Sequence, residues 1–341
     1  MSEALRIAVV GSGVMGGHHA RKVSERERES GDVSLVGVAD RDLERARGLA
    51  GELGVAAYGD PESLFGEADA VVVAVTAVSH FEVARRALEA GLDVLVEKPI
   101  AATLAEAEQL VALAAKHEAV LQVGHQEWFN AALRVVRERI DQPRFAEIHR
   151  LGPFPERGTD VDVVRDLMIH DIEILQQLLG GEPERVDSVG VAVLTDYVDI
   201  ANARLTFPRA CIANLTASRV SVAPMRKFRF FQRDAYFSVD FMAQTAALFR
   251  RVPTEDGGKR IEMQELKTDP EDALAAQLEV FVHGLRARDV EALGGVSGAQ
   301  AARALRTALR VVDAMPDPDA FDEDGNPVLP DPGSLDDGAP A

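Results

Sequence analysis

The chain has a single cysteine, Cys211, among 341 residues, which excludes an internal disulfide and fits a reducing compartment. Cys211 lies in an apolar, strand-like run and reads as a small core residue rather than a nucleophile. No apolar stretch approaches the ~20 residues of a membrane span. The start, Met1-Ser2-Glu3, lacks the basic-then-apolar pattern of an export signal. A cytoplasmic protein with no membrane partner is therefore expected. Lysine is also scarce, six against 31 arginines, and the formal net charge is −19. That balance argues against nucleic acid and anionic membranes as partners, and an acidic protein that binds an anionic substrate must concentrate its arginines locally. H-E-x-x-H and comparable ligand spacings are missing, so no metal is expected, even with Asp171 or Glu173 beside Asp166 and His170. There are no internal repeats.

The length suggests two domains, and the pattern divides at about residue 124. Before it, apolar runs alternate with amphipathic helices, as in a parallel sheet with crossover helices. Strands are expected at 5–10, 34–39, 70–75, 92–96 and 120–123, and helices at 14–29, 43–53, 81–90 and 104–117. After it, a helix is expected over 161–179, then short β-rich runs at 189–194, 201–207, 211–217, 227–231 and 236–241, then helices at 273–287 and 297–314. The expected fold class is α/β: an N-terminal Rossmann domain with a doubly wound parallel sheet (1–124), then an α+β domain with an open, mainly antiparallel sheet (125–315). The tail over 316–341 holds eight acids and no base and is expected to be disordered.

Gly11-Ser12-Gly13-Val14-Met15-Gly16 fits G-x-G-x-x-G between a strand and a helix, the context the dinucleotide fingerprint requires. Gly11 permits the turn, Gly13 lets a pyrophosphate reach the backbone, and Gly16 lets the helix pack on the strand. The free N–H groups and positive dipole end of the helix then face the phosphates. Asp40, just past the second strand, is placed to accept the ribose 2′-OH, which favours NAD over NADP. Its other reading is a helix N-cap, although Asp42 is better placed to cap. Arg41 can stack on adenine or accept a 2′-phosphate. Thr76 and His80 follow the fourth strand, where they can line the nicotinamide side, and His80 can equally be a surface residue at a helix start.

Glu97-Lys98-Pro99 closes the run 92–96, at the strand edge where open α/β sheets bind ligands. Lys98 can act as acid/base, orient a substrate hydroxyl, or be a surface cation, and Glu97 can hold it by charge pairing. In the second domain Asp166 and His170 stand i, i+4, which puts both on one helix face. Glu173 and Gln177 continue the polar stripe, opposite Val164, Met168, Ile172, Leu175 and Leu179. An imidazole oriented by Asp166 suits removal of an alcohol proton, and a solvated ion pair is the plainer alternative.

Together these segments resemble the Gfo/Idh/MocA family of sugar oxidoreductases. The resemblance runs through the glycine loop followed by His18-His19, then Asp40, Thr76–His80, Ala87-Leu88-Glu89-Ala90-Gly91, Glu97-Lys98-Pro99 and Asp166–His170. It implies Lys98, Asp166 and His170 as the catalytic set, and Gly11, Gly13, Val14, Met15, Gly16, Asp40, Arg41, Thr76, His80, Glu97 and Gln126 as cofactor contacts. A homodimer or homotetramer through the C-terminal sheet is also implied. Within the family, Val123–Asn130, Asp166–Glu173 and Ala213–Arg219 look like the bacterial UDP-N-acetylglucosamine 3-dehydrogenases. Trp128, Ala131 and Ala77 depart from the arginine, proline and proline usual there. The narrower resemblance implies NAD-dependent oxidation of C3 of a UDP-sugar, with Lys98, Arg157, Arg165, His170 and Arg219 on the substrate and the arginines on its diphosphate. A free sugar, inositol or polyol as substrate is the alternative, as is a cofactor sensor without turnover.

Overall fold

The structure, a computed structural model, describes residues 3–154 and 161–316. Arg157 and all but the first residue of the acidic tail lie outside the described residues. The chain forms two compact units, Met1–Phe129 with Glu271–Ala302, and Asn130–Pro270 with Arg303–Ala341.

In the first unit, apolar strands alternate with helices: β1 (Leu5–Val10), α1 (Val14–Ser30), β2 (Val33–Ala39), α2 (Leu43–Leu53), β3 (Ala56–Tyr58), α3 (Glu62–Phe65), β4 (Ala70–Val73), α4 (Ala77–Glu89), β5 (Asp93–Val96), α5 (Leu104–Lys116) and β6 (Leu121–Val123). The six strands are all parallel, in the order β3-β2-β1-β4-β5-β6. The chain thus winds outward from β1 in both directions, and the switch lies between β1 and β4, where such sheets bind ligands. Every residue of β4 and β5 is buried, which accounts for the apolar runs Ala70–Val73 and Val94–Val96.

A 3₁₀ turn (Gln126–Phe129) ends this stretch of the first unit, and the second unit holds α6 (Ala131–Arg137), β7 (Phe145–Leu151), α7 (Ile169–Leu179), β8 (Arg185–Val191), β9 (Ile200–Phe207), β10 (Cys211–Ser218), β11 (Met225–Gln232), β12 (Ala235–Asp240), β13 (Thr245–Pro253) and β14 (Lys259–Leu266). Eight strands make one open sheet, β14-β13-β12-β11-β7-β10-β9-β8. It is antiparallel except for the β7–β10 pair. β7 falls where the sequence pattern sets no element, because its buried positions include Arg150.

Two helices close the chain, α8 (Ala273–Ala287) and α9 (Gly298–Asp313). The pattern places both in the second domain, yet α8 belongs to the first unit. Its Leu278, Phe281, Val282 and Leu285 share one buried cluster with Ile7 and Val9 of β1 and Val33 and Leu35 of β2. An apolar stripe shows that a helix covers a sheet and not which sheet it covers.

Candidate functional site

β1 delivers the chain to Gly11, whose φ is +99°, a conformation that L side chains rarely adopt. A Cβ at Gly11 would collide with the backbone of Ala74, and one at Gly16 with the Gly11 carbonyl oxygen. A Cβ at Gly13 would meet no protein atom within 4 Å. Gly11 and Gly16 are thus required by the fold, whereas the space over Gly13 is open. Gly13 N-caps α1 with no side-chain hydrogen bond and no acid in the first turn, so the N–H groups at that end face outward with nothing negative of their own to neutralise them. Exposed Val14 and half-buried Met15 form that turn. A cleft of about 340 Å³ opens over the loop, lined by Ser12, Gly13, Gly17, His18, Arg21 and Arg45 among others.

Asp40 sits beside the same loop. Its Oδ2 accepts from the Ser12 amide (2.7 Å) and hydroxyl (2.8 Å), and its Oδ1 accepts from the Asp42 amide (2.9 Å) and Arg45 (3.0 Å). Burial opposes ionisation, but these donors outweigh it and hold the carboxyl below the usual carboxylate range. Asp42 caps α2 by accepting from the Arg45 amide at 3.1 Å, so the capping alternative for Asp40 is dropped. Arg41 is exposed and Gln126 half-buried. These features fit a dinucleotide: an open glycine, uncapped amides and an ionised acid one strand away.

At the β4 and β5 ends the outcome differs from the expectation. Thr76 is exposed at the start of α4. His80 is neither a surface residue nor open to the nicotinamide side. It is 2% exposed, with Nδ1 2.7 Å from the Pro99 carbonyl and Nε2 3.2 Å from that of Val75. Burial lowers its pKa, and the ring ties the end of β4 to the segment after β5. Glu97 also faces inward. It is 8% exposed and its Oε1 lies 2.7 Å from His19 Nε2. Burial opposes its charge, but the His19 hydrogen bond and the nearby Lys98 outweigh it and hold the carboxyl below the usual carboxylate range. That arrangement leaves Glu97 as a support beside Lys98 rather than an open cofactor contact. Lys98 is half-buried. His125, 1% exposed, is pushed down to about 3 by burial and by the Lys98 charge, so it remains a neutral neighbour of that lysine. His19 and His125 stand in segments that carry the resemblance, but the residues they meet, Glu97 and Lys98, lie far away in the chain.

In the second unit, the helix expected over 161–179 begins with a π turn, Val164–Met168, before α7 proper. Such insertions often mark functional sites, and this one carries Asp166 immediately before His170. The alternative of a solvated ion pair is not what the structure shows: of the expected polar stripe, His170 and Glu173 are buried and Asp166 and Gln177 half-buried, and Asp171 and Gln176 are buried as well, because the helix has protein on its polar side too. Gln176 donates to Thr307 at 2.6 Å, and Asp171 Oδ1 accepts from Arg150 Nε (2.8 Å) and an η nitrogen (2.6 Å) across from β7. Glu173 accepts from Gln177, its Oε2 has no hydrogen-bond partner, and burial pushes its pKa up to about 8.

Beside Asp166 is a pocket of about 300 Å³ lined by Arg150, Gly152, Pro153, Leu167, Arg219, Arg226 and others. Of the arginines expected on a diphosphate, Arg219 is spent inside the protein. It is 1% exposed and donates to Asp199 (2.7 Å), the Val161 carbonyl (2.7 Å) and Thr195 (3.0 Å). Arg165 is half-buried and paired with Asp162 at 2.5 Å. The exposed Arg226, which the sequence reading passes over, lines the pocket instead. Among the described residues, no group of three or more His, Cys, Asp or Glu is placed to hold a metal ion, and no helix is long and apolar enough to cross a membrane.

Two family models match the chain. The oxidoreductase family, NAD-binding Rossmann fold, covers residues 5–125, and the GFO/IDH/MocA C-terminal domain covers 132–237. Among curated relatives, the UDP-N-acetylglucosamine 3-dehydrogenase of Acidithiobacillus ferrooxidans is 37% identical over 90% of this chain and 96% of its own. Inositol 2-dehydrogenase 1 of Saccharopolyspora erythraea is 32% identical over 64% of this chain and 66% of its own. A crystal form of the Acidithiobacillus enzyme superposes with a TM-score of 0.83 at 35% identity, over 92% of this chain and 98% of that one.

Proposed function

The chain belongs to the GFO/IDH/MocA oxidoreductase family, and from that premise we propose that it oxidises a secondary alcohol of a nucleotide sugar, C3 of UDP-N-acetylglucosamine or a related UDP-sugar. It is an NAD-dependent enzyme. Gly11, Gly13 and Gly16 with the start of α1 would hold the cofactor diphosphate, and Asp40 the ribose. When bound, the cofactor would supply the hydride acceptor for the carbinol carbon. Lys98 hydrogen-bonds the reacting oxygen and stabilises charge developing on it. His170 removes the hydroxyl proton, and Asp166 orients its ring.

The observation that carries this reading is half-buried Lys98 at the β5 edge, beside the buried Glu97, His80 and His125 and in the same unit as an open glycine loop. The nucleotide-sugar part is supported by the 37% identical relative, and the exposed Arg226 lining the pocket beside Asp166 supports an anionic substrate group. We assign the diphosphate to Arg226 rather than Arg219. Assembly as a cytoplasmic homodimer or homotetramer is part of the proposal, supported by Ile261 and Met263, which are 68% and 55% exposed on β14. The test is mutational: Lys98→Ala and His170→Ala should bind NAD as the parent does and lose at least about 100-fold in kcat. Full turnover in both would rule the assignment out.

A further inference from the structure

Three histidines surround the Glu97-Lys98-Pro99 segment from three separate elements: His19 from α1, His80 from α4 and His125 from the chain after β6. His19 bonds the Glu97 carboxylate, Nε2 to Oε1 at 2.7 Å, and it is 1% exposed. The other carboxylate oxygen accepts from the Lys98 amide at 3.3 Å. Behind the carboxylate there is no slack, because a Cβ at Gly124 would stand 2.8–2.9 Å from its three terminal atoms. Glu97 is therefore clamped between His19 and the backbone of Gly124. His19 lies on α1, whose first turn faces the phosphate-binding cleft.

We propose that His19 is a positioning residue for the reaction: through Glu97 it locks the Lys98 backbone to the helix that seats the cofactor diphosphate. The arrangement makes α1 and the lysine segment one rigid piece, so the cofactor and the group on the reacting oxygen keep a fixed relation. A misplacement of about 1 Å can cost about 100-fold in rate, so the lock matters even though His19 touches no substrate.

The inference rests on Lys98 acting on the alcohol, and the experiment separates the two. His19→Ala, His19→Gln and Gly124→Ala are compared with the parent and with Lys98→Ala in UDP-N-acetylglucosamine oxidation. In His19→Ala, kcat should fall about 10- to 100-fold, with NAD affinity changed less than about threefold. The deuterium isotope effect with C3-deuterated substrate should rise as hydride transfer becomes limiting. His19→Gln, which can still donate to Glu97, should recover most of the rate. Gly124→Ala, which pushes the carboxylate without removing a charge, should reproduce the loss. A readout independent of turnover is pulse acetylation of Lys98 by acetic anhydride without cofactor, scored by mass spectrometry against exposed Lys259 and Lys267. It should be several-fold faster in His19→Ala. Parent-like kcat and labelling in His19→Ala and Gly124→Ala would overturn the proposal. So would a kcat loss matched by an equal loss of NAD affinity that His19→Gln does not repair. Full turnover in Lys98→Ala would overturn the underlying reading instead.

Discussion

The two units handle polar groups in opposite ways. In the first, the phosphate-facing features are backbone: a glycine with open space above it, and amides at an uncapped helix start. In the second, the helix carrying Asp166 and His170 is wrapped in buried side-chain pairs, Arg150 with Asp171 on one side and Gln176 with Thr307 on the other. Backbone features are encoded within a few consecutive residues. Side-chain pairs join residues 21 to 131 positions apart. The comparison teaches that a ligand site can be cheap in stability, as at Gly13, or embedded in the core, as around His170.

The sharpest way to break that comparison is Asp171→Ala. It leaves the Arg150 guanidinium buried without its carboxylate and should destabilise the protein by about 3–5 kcal/mol. Chemical denaturation measures this, and a change below about 1 kcal/mol would mean the pair is not part of the core. Arg219→Ala should behave the same way, as a stability loss, since Arg219 is bound to Asp199 rather than facing solvent.

Glu173→Gln tests the pH side. Burial raises this carboxyl from 4.5 to about 8, so between those values the folded protein binds a proton that the unfolded chain has released. Its contribution is fully present below about pH 4.5 and is lost as the pH rises through 8. The melting temperature should therefore fall from about pH 5 to pH 9 more steeply in the parent than in Glu173→Gln. Parallel curves would contradict the buried, protonated state.

Gly13→Ala sharpens the first unit. With no protein atom near the added methyl, stability should change by less than about 1 kcal/mol, while NAD affinity falls at least about tenfold, read by calorimetry. Gly16→Ala should instead lose stability and binding together. The smallest effect belongs to Arg45→Ala. Its guanidinium is 53% exposed where it meets Asp40, and such pairs contribute about 0–1 kcal/mol.

Much of the first unit was legible in the sequence because buried parallel strands such as Val71–Val73 and Val94–Val96 are unbroken apolar runs and the glycine loop has fixed spacing. Asp42 as the cap of α2 was also readable, which freed Asp40 for the ribose. The histidine roles were not. His80 at a strand edge reads as ligand-facing, and its two carbonyl partners become visible only when β4 and β5 lie side by side. His19 and Glu97 are 78 residues apart. β7 escaped because the buried Arg150 interrupts its apolar alternation, and the allegiance of α8 escaped because amphipathicity does not name a partner. Arg219 looked like an anion-binding residue for the reason that arginine serves both solvent-facing phosphates and buried carboxylates.

The most direct test of the central claim is NADH formation, followed by absorbance, across a panel of UDP-sugars, free sugars and myo-inositol, with an aminotransferase drawing off the ketone. The account predicts that NADH accumulates with UDP-N-acetylglucosamine or a closely related UDP-sugar and far more slowly with the others. Preference for myo-inositol or a free sugar would contradict the nucleotide-sugar assignment, and NAD binding with no NADH from any alcohol would contradict the catalytic one.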